Sequence, residues 1–279
     1  MPTQQSVLEV ISLNYRHIAG SHLKAAREEI NSNNEERLKY AALELRMAME
    51  AITYDRALAY KSEFPPEEYE TWQPRKVLMV LLEIDVNADV SSTLSIGVQP
   101  SPNETPEEMI CLGTEKTFNL KMLKKHYDAL GNYLHIISMK RSIEGKTHNM
   151  TKLRTRCEEI SEFLEQALNS PVFNMTFGNF ASLNCEECQS KIRKRVPHDF
   201  DDPITATCFN CKATYTLTKH DNKKVKWKLK EHEMKCANLS CQKTIVVLER
   251  DIQIGKCWTC SSCNGQNIFA LGIRYEEAL

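Results

Sequence analysis

The sequence lacks any apolar stretch long enough to cross a membrane. Its apolar runs are short, as in VLMVLLEI at residues 77–84, whereas a membrane-spanning helix needs about 18 or more largely apolar residues. The first residues, MPTQQSVLEV, also lack the basic region and apolar stretch of a secretory signal. We therefore expect a cytoplasmic protein that makes no use of a membrane.

Familiar catalytic motifs are missing as well. The chain has no Walker phosphate-binding loop, no G-x-S-x-G nucleophile motif and no H-E-x-x-H zinc-protease motif. These absences argue against three large classes of hydrolase and favour a non-enzymatic protein.

Net charge is close to zero, but it is distributed unevenly. The whole chain carries a formal charge of −1, whereas residues 181–279 contain 16 Lys and Arg against 12 Asp and Glu, a surplus of +4. A zinc ion bound by four thiolates adds a charge of about −2, so two such sites would cancel this surplus. Any contact with a nucleic acid must then be local.

Cysteines concentrate in the last third of the chain. Nine of the eleven follow residue 184, and in a reducing cytosol clustered cysteines are more often metal ligands than disulfides. The spacings are C-x₂-C-x₁₉-C-x₂-C and then C-x₄-C-x₁₈-C-x₂-C. Both are typical of zinc ribbons, in which two cysteine turns face each other across one tetrahedral ion.

The two cysteine segments also align as a tandem repeat. Cys208 and Cys211 match Cys260 and Cys263 at an offset of 52, and Cys188 matches Cys241 at 53. A near-constant offset indicates two copies of one supersecondary unit. The repeat predicts two Zn²⁺ per chain, held by Cys185, Cys188, Cys208, Cys211, Cys236, Cys241, Cys260 and Cys263.

One cysteine has no counterpart in the repeat. In GKCWTCSSCNG, Cys257 precedes the last turn by three residues, where the first copy has Thr205. We interpret Cys257 as a spare thiol on the strand that enters the turn. The alternatives are that it replaces Cys260 or Cys236 as a ligand, that a C-x-x-C pair is redox-active, or that the cysteines are separate buried thiols.

Two basic runs in the tail are candidates for nucleic-acid contact. KIRKR follows the first cysteine turn, and KKVKWKLK alternates lysines with apolar residues. In a strand this alternation places the lysines on one face, where they can follow phosphates, while an exposed Trp227 could stack on a base. The alternative is a solvated face with Trp227 buried. The candidate residues are Lys191, Arg193, Lys194, Arg195, Lys223, Lys224, Lys226, Trp227, Lys228 and Lys230.

Residues 1 to about 88 show helical periodicity. Asn33 or Asn34 can cap the start of one helix, and Pro74 stands where the next begins. The first of these helices carries an apolar stripe at Leu38, Ala42, Leu45, Met49, Ile52 and Ala59.

A small β-hairpin is predicted between helices. STLSIGV and EMICLG are β-prone and flank QPSPNETPE, which has the composition of a loop. Helical stripes resume after it at Leu120, Leu123, Tyr127, Leu130, Leu134 and Ile137, and then at Leu153, Cys157, Ile160, Leu164 and Ala167. Cys157 lies on the second stripe, so we expect a buried thiol there, and we expect the same of Cys111 in the hairpin.

The segment ALGNYLH, residues 129–135, is the most motif-like part of the helical half. Gly131 is costly inside a helix, by about 1 kcal/mol relative to alanine, and indicates the close approach of another backbone. Asn132 and His135 are three residues apart and are expected to share a helix face.

ALGNYLH resembles the GN-x-x-H stretch of HEPN-type helical domains, and LELRMAMEAI at residues 43–52 is similar to an early helix of such domains. The resemblance implies an up-and-down helical bundle, often a homodimer, in bacterial antiviral defence or toxin–antitoxin systems. Catalytic members are ribonucleases with an R-x₄₋₆-H pair. His135 would be the family histidine and Asn132 its polar neighbour, but positions 128–130 hold Asp128, Ala129 and Leu130 instead of arginine.

Together these features predict an α+β multidomain protein. Residues 1–170 form an α-helical bundle with a hairpin insertion near 90–118, residues 171–231 the first zinc ribbon and residues 232–279 the second. The predicted function is that of a zinc-binding interaction or regulatory protein, which binds a nucleic acid or a protein partner through the tandem zinc ribbons. The alternatives are a ribonuclease that uses His135 and a purely structural scaffold.

Overall fold

The computed structural model describes residues 13–32, 34–101, 104–220 and 224–272. It divides into two compact units, Met1–Phe177 and Gly178–Leu279. Helices occupy most of the first unit and short antiparallel strands the second, so the α+β organisation predicted from the sequence is confirmed. The domain limits set at residues 170/171 and 231/232 stay predictions. Among the described residues, no helix is both long and apolar enough to span a bilayer.

Asparagine side chains begin three of the helices in the first unit. Asn14, Asn119 and Asn149 each accept a hydrogen bond from the backbone N–H three residues later, which satisfies a donor that the first helical turn leaves unpaired. Asn34 caps the short 3₁₀ turn Glu35–Arg37 instead, and Asn33 lies outside the described residues. The helices are α1 (Tyr15–Asn31), α2 (Leu38–Ala59), α3 (Pro74–Ile84), α4 (Leu120–Leu134), α5 (Met139–Ile143) and α6 (Met150–Leu168).

Helix α2 lies at the centre of the first unit and packs against α1, α3, α4 and α6. Its predicted stripe faces the core: Leu38, Ala42, Leu45 and Met49 are fully buried, whereas Ile52 and Ala59 at the end are half-buried. The whole stripe of α6, from Leu153 to Ala167, is also buried. The helical periodicity of these two segments is therefore confirmed.

A two-stranded hairpin interrupts the helices as predicted. Strands β1 (Ser92–Ile96) and β2 (Ile110–Glu115) pair antiparallel. The hairpin is attached by an ion pair between Arg56 of α2 and Glu115 of β2, 3.2 Å apart, with both side chains less than a tenth exposed. Glu115 also accepts backbone N–H bonds from Asn174 and Met175. Removing either charge would leave the other buried and unpaired, which is strongly destabilising.

Three expectations about local environment are wrong. Cys111 is exposed, because the outer part of the hairpin has no layer packed over it. Helix α4 ends at Leu134, so Ile137 lies beyond its stripe and His135 is the extended residue that follows it. At Gly131 the close neighbour is a side chain and not a backbone: a Cβ there would come within 3.0 Å of the Arg46 guanidinium.

The second unit consists of strand pairs linked by cysteine-containing turns. Strand β3 pairs with β4, and β5, β6 and β7 form a three-stranded sheet. Further along, β8 pairs with β9 and β10 with β11. The strands are β3 (Asn179–Asn184), β4 (Lys191–Val196), β5 (Ile204–Thr207), β6 (Thr214–His220), β7 (Lys224–Leu229), β8 (Glu231–Lys235), β9 (Thr244–Leu248), β10 (Cys257–Thr259) and β11 (Gln266–Ile268).

Apolar burial differs between the two halves of this unit. The strands β3–β7 enclose a small core that includes Ile192, Tyr215 and Leu217, with Trp227 packed at its edge. Of the described residues from 231 to 272, only Cys236, Cys260 and Asn267 are buried. The second half therefore has almost no hydrophobic core of its own.

Candidate metal centres

Four cysteine turns of similar geometry join the strand pairs. In each turn, the first cysteine donates its N–H to the carbonyl two residues beyond the second cysteine. The acceptors are the carbonyls of Ser190, Ala213, Lys243 and Gly265, at 2.8–2.9 Å. The residue directly after each second cysteine has a positive φ, at Gln189, Lys212, Gln242 and Asn264. Such turns aim both thiols of a pair to the same side.

Facing turns bring eight cysteines together in two groups of four. In the first cysteine cluster, made of Cys185, Cys188, Cys208 and Cys211, opposite sulfurs lie 3.6 Å apart. In the second cysteine cluster, made of Cys236, Cys241, Cys260 and Cys263, they lie 3.8 Å apart. Four sulfurs about 2.3 Å from a tetrahedral ion would be about 3.8 Å apart. Each cluster could therefore hold one metal ion, and a tetrahedral S₄ donor set suits zinc or iron.

Hydrogen bonds favour the deprotonated form of some of these thiols, which is the form that binds a metal. The side chain of Ser190 lowers the pKa of Cys188 to about 6. Backbone N–H groups of Cys263 and Ser262 lower the pKa of Cys260 to about 7. Burial raises the pKa of Cys211 to about 12, because a desolvated cluster of thiols without a cation favours protonated sulfur.

A side chain that the cysteine spacing did not reveal supports each cluster. Tyr215 Oη accepts the N–H of Glu186 at 2.9 Å and lies 3.3 Å from the sulfur of Cys185. In the second half, Asn267 Oδ1 accepts the N–H of Ala237 at 2.7 Å. Tyr215 and Asn267 are 52 residues apart, the same offset as the cysteines. Extending the repeat alignment past the cysteines would have found them.

Cys257 is not part of either cluster. It begins strand β10, is exposed, and its thiol lies 3.4 Å from the carbonyl of Gly255. The four-cysteine group of the second half is complete without it. This position agrees with a spare thiol and gives no support to exchange with Cys260 or Cys236.

An arginine connects the two halves of the strand unit. Arg250, in the turn after β9, donates to the carbonyl of Cys211 at 2.9 Å and to the carboxylate of Glu187 at 2.7 Å. Both acceptors belong to the cysteine turns of the first cysteine cluster. The second half is thus held directly against the turns of the first cysteine cluster.

The lysines of strand β7 share one face with the threonines of its neighbours. Directly opposite residues in an antiparallel sheet lie on the same face, and Lys228, Lys226 and Lys224 pair with Thr216, Thr218 and His220. Strand β5 adds Thr205 and Thr207, opposite Thr216 and Thr214. We call this the Thr/Lys face: Thr205, Thr207, Thr214, Thr216, Thr218, His220, Lys224, Lys226 and Lys228. Within the three strands it carries no carboxylate.

Trp227 lies on the opposite face of that sheet. It is half-buried and packs edge-on against Tyr215, with ring centroids 6.0 Å apart. Its neighbours Val225 and Leu229 pack on the same core. This position agrees with the interpretation of Trp227 as packed on the core, and base stacking on it stays a prediction.

The other basic candidates occupy different positions. Lys191 is exposed at the start of β4. Arg193 and Arg195 extend over the ring of Phe180, 3.7 and 4.8 Å from its centroid, and Lys194 between them is half-buried. Lys230 follows β7, where its N–H donates to the carbonyl of Thr214. Lys223 lies outside the described residues.

The candidate catalytic residues of the helical unit do not form a pair. Asn132 is in the last turn of α4, whereas His135 follows the helix and is exposed, so the two do not share a helix face. His135 contributes its carbonyl, which accepts from His148 Nε2 at 3.2 Å. Asn132 lines an open pocket together with His148 and Arg141, two residues that the sequence interpretation did not consider.

Comparisons of the chain with models of protein families, with curated proteins and with solved structures gave no significant match. The HEPN resemblance therefore stays a prediction.

Proposed function

We propose that this protein binds nucleic acid through the Thr/Lys face, on a scaffold of two zinc ribbons. In this proposal the two cysteine clusters are closed structural zinc sites, since each offers four protein sulfurs and no open position for a substrate. Zinc is preferred to iron because a purely structural site needs no redox change.

One observation supports the nucleic-acid proposal above the others, namely the composition of the Thr/Lys face. Lysine ammonium and threonine hydroxyl groups are typical partners of phosphate oxygens. Lys224, Lys226 and Lys228 are exposed and recur every second residue, at about 6.6–6.8 Å along the strand, which is close to the spacing of phosphates in an extended single strand. Without Phe, Tyr or Trp on this face, binding would be tolerant of sequence and dependent on salt.

The test is the salt dependence of binding. A variant with Lys224, Lys226 and Lys228 changed to Gln is compared with wild type by fluorescence anisotropy, using labelled single-stranded DNA and RNA and a DNA duplex. Three lost phosphate contacts should reduce the slope of log K against log salt concentration by about 2 to 3. A matched control changes Lys39, Lys76 and Lys121, three exposed lysines of the helical unit, and should bind as wild type does.

The proposal fails if wild type does not bind any of these nucleic acids at low salt, or if both triple variants weaken binding equally. A complex with a protein partner, recovered with the native chain and lost in the first triple variant alone, would favour the protein-binding alternative. The context of bacterial antiviral or toxin–antitoxin systems rests on the HEPN resemblance.

A further inference from the structure

The helical unit contains a second basic feature that the cysteine clusters do not involve. An open pocket of about 370 Å³ lies between the end of α4, helix α5 and the start of α6. This volume falls within the range of small-ligand pockets, about 300–1,000 Å³. The residues that give it chemical character are Asn132, Arg141, His148, Asn149, Lys152 and Arg156.

The side chains that line the pocket carry positive charge, and no negative charge among them offsets it. Arg141, Lys152 and Arg156 contribute three cations, and the lining includes no carboxylate. None of the three forms an ion pair with any residue that the structure describes. Glu144, in the loop that borders the pocket, pairs with Lys146 at 2.6 Å. Glu144 is therefore already paired, and Glu159, three residues after Arg156 on α6, does not line the pocket.

The arrangement also carries a structural cost. Lys152 and Arg156 lie four residues apart on α6, and like charges at that spacing repel and weaken a helix. Burial and the nearby charge of Arg156 lower the pKa of His126 in α4. Like charges at this spacing repel one another, and an anion in the pocket would offset that repulsion.

One nitrogen of the Arg156 guanidinium is buried and unpaired within the part of the chain that the structure describes. Arg156 Nη1 is inaccessible to solvent and has no hydrogen-bond partner among the described residues. A buried N–H of a charged group that makes no hydrogen bond loses its hydration without compensation. Because Nη1 is closed to solvent, an anion in the open pocket would contact the other N–H groups of the Arg156 guanidinium.

The histidine of the pocket is held in one orientation. His148 Nε2 donates to the carbonyl of His135, and the ring packs against Tyr133 with centroids 5.2 Å apart. Asn132 adds an amide that can donate to an oxyanion. Donors thus come from three helices, with Asn132 on α4, Arg141 on α5, and Lys152 and Arg156 on α6.

We propose that this pocket binds a phosphate group, either as free phosphate or as the phosphate of a nucleotide. Three cations suit a dianionic tetrahedral oxyanion better than a carboxylate, and the planar guanidinium group of Arg141 can donate two parallel hydrogen bonds to it. The site belongs to the helical unit and is independent of the nucleic-acid proposal for the Thr/Lys face.

Isothermal titration calorimetry of the full chain tests this site with three probes: inorganic phosphate, a 5′-mononucleotide and the matching nucleoside. The double variant Arg141→Ala/Lys152→Ala removes two exposed cations of the pocket and should weaken phosphate binding at least tenfold. The control Lys124→Ala/Lys140→Ala removes two exposed lysines of α4 and α5 that do not line the pocket, and it should bind as wild type does. Arg156→Gln, which keeps much of the side-chain volume, should also weaken binding at least tenfold.

Saturable binding of phosphate and mononucleotide with equal affinity would identify free phosphate as the sufficient ligand. Tighter binding of the mononucleotide, with no binding of the nucleoside, would identify a nucleotide phosphate. The proposal is overturned if neither phosphate probe binds saturably, or if the pocket variants and the control lose affinity equally. Circular dichroism of each variant separates loss of binding from loss of fold.

Discussion

The hydroxyl group of Tyr215 offers a test of the first cysteine cluster that leaves every cysteine in place. It accepts the N–H of Glu186 and lies 3.3 Å from the sulfur of Cys185. Burial alone would raise the pKa of Cys185, but hydrogen bonds, of which that from Tyr215 is the strongest, bring it below its usual value. Tyr215→Phe removes these bonds and keeps the ring that packs against Trp227.

The magnitude follows from what the hydroxyl supports. Groups that hydrogen-bond to a metal ligand typically contribute a factor of about 10 to 100 in metal affinity. The N–H of Glu186 is also left without its acceptor, which costs about 1–3 kcal/mol if water does not replace the hydroxyl. We therefore expect the metal affinity of the first cysteine cluster to fall by about ten- to hundredfold, with that of the second unchanged.

A chelator titration of the zinc-loaded protein measures this effect. Thiols released at each chelator concentration are alkylated and mapped by peptide mass spectrometry, so the two clusters are followed separately. Asn267→Ala is the reciprocal variant, since Asn267 supports the turn of the second cysteine cluster, and it should weaken that cluster alone. Tyr69→Phe removes an exposed hydroxyl of the helical unit and serves as the matched control.

The reasoning is refuted if Tyr215→Phe releases both metals as wild type does, because the hydroxyl would then contribute nothing to the site. Equal weakening of both clusters would also contradict it, since the expected effect is confined to the turn that Tyr215 touches.

Two further predictions concern the remaining cysteines. Elemental analysis should find two zinc ions per chain in wild type and in Cys257→Ser but one in Cys260→Ser, because only Cys260 belongs to a cluster; one zinc in Cys257→Ser would make that residue a ligand. Iodoacetamide should alkylate the exposed Cys111 and Cys257 of the native zinc-loaded protein and spare Cys157, whose pKa burial raises to about 12. Rapid modification of Cys157 would show that the core around α6 opens readily.

Spacing alone predicted which cysteines come together, since the two repeats place equivalent residues at equivalent positions. The offset of 52 separates Cys260 from Cys208 and leaves Cys257 opposite Thr205, and the structure groups the eight aligned cysteines and omits Cys257. Alternation in β7 likewise predicted the lysine face. The cysteine repeat and the lysine alternation are both patterns that can be recognised in the sequence itself.

Other features depend on long-range packing and could not be predicted in this way. The neighbour of Gly131 is Arg46 of α2, 85 positions earlier in the chain, and no periodicity in α4 indicates a guanidinium group at that point. The end of α4 at Leu134, which leaves His135 exposed, is set by the extended segment that follows it. No sequence pattern indicated Arg141 and His148, because they lie on a short helix and in a loop, outside the apolar stripes of the longer helices.

The unequal cores of the strand unit bear on how the Thr/Lys face is held in place. The half from residue 231 to 272 buries two cysteines and one asparagine, which is little apolar surface to order its backbone, so we expect its fold to depend on metal binding. Structural zinc contributes about 10–16 kcal/mol in small zinc-finger peptides. The half that presents the Thr/Lys face has both a cluster and an apolar core around Tyr215 and Leu217. A surface that binds a polyanion must hold like charges close together, and the half that combines both sources of stability is the one best able to do so.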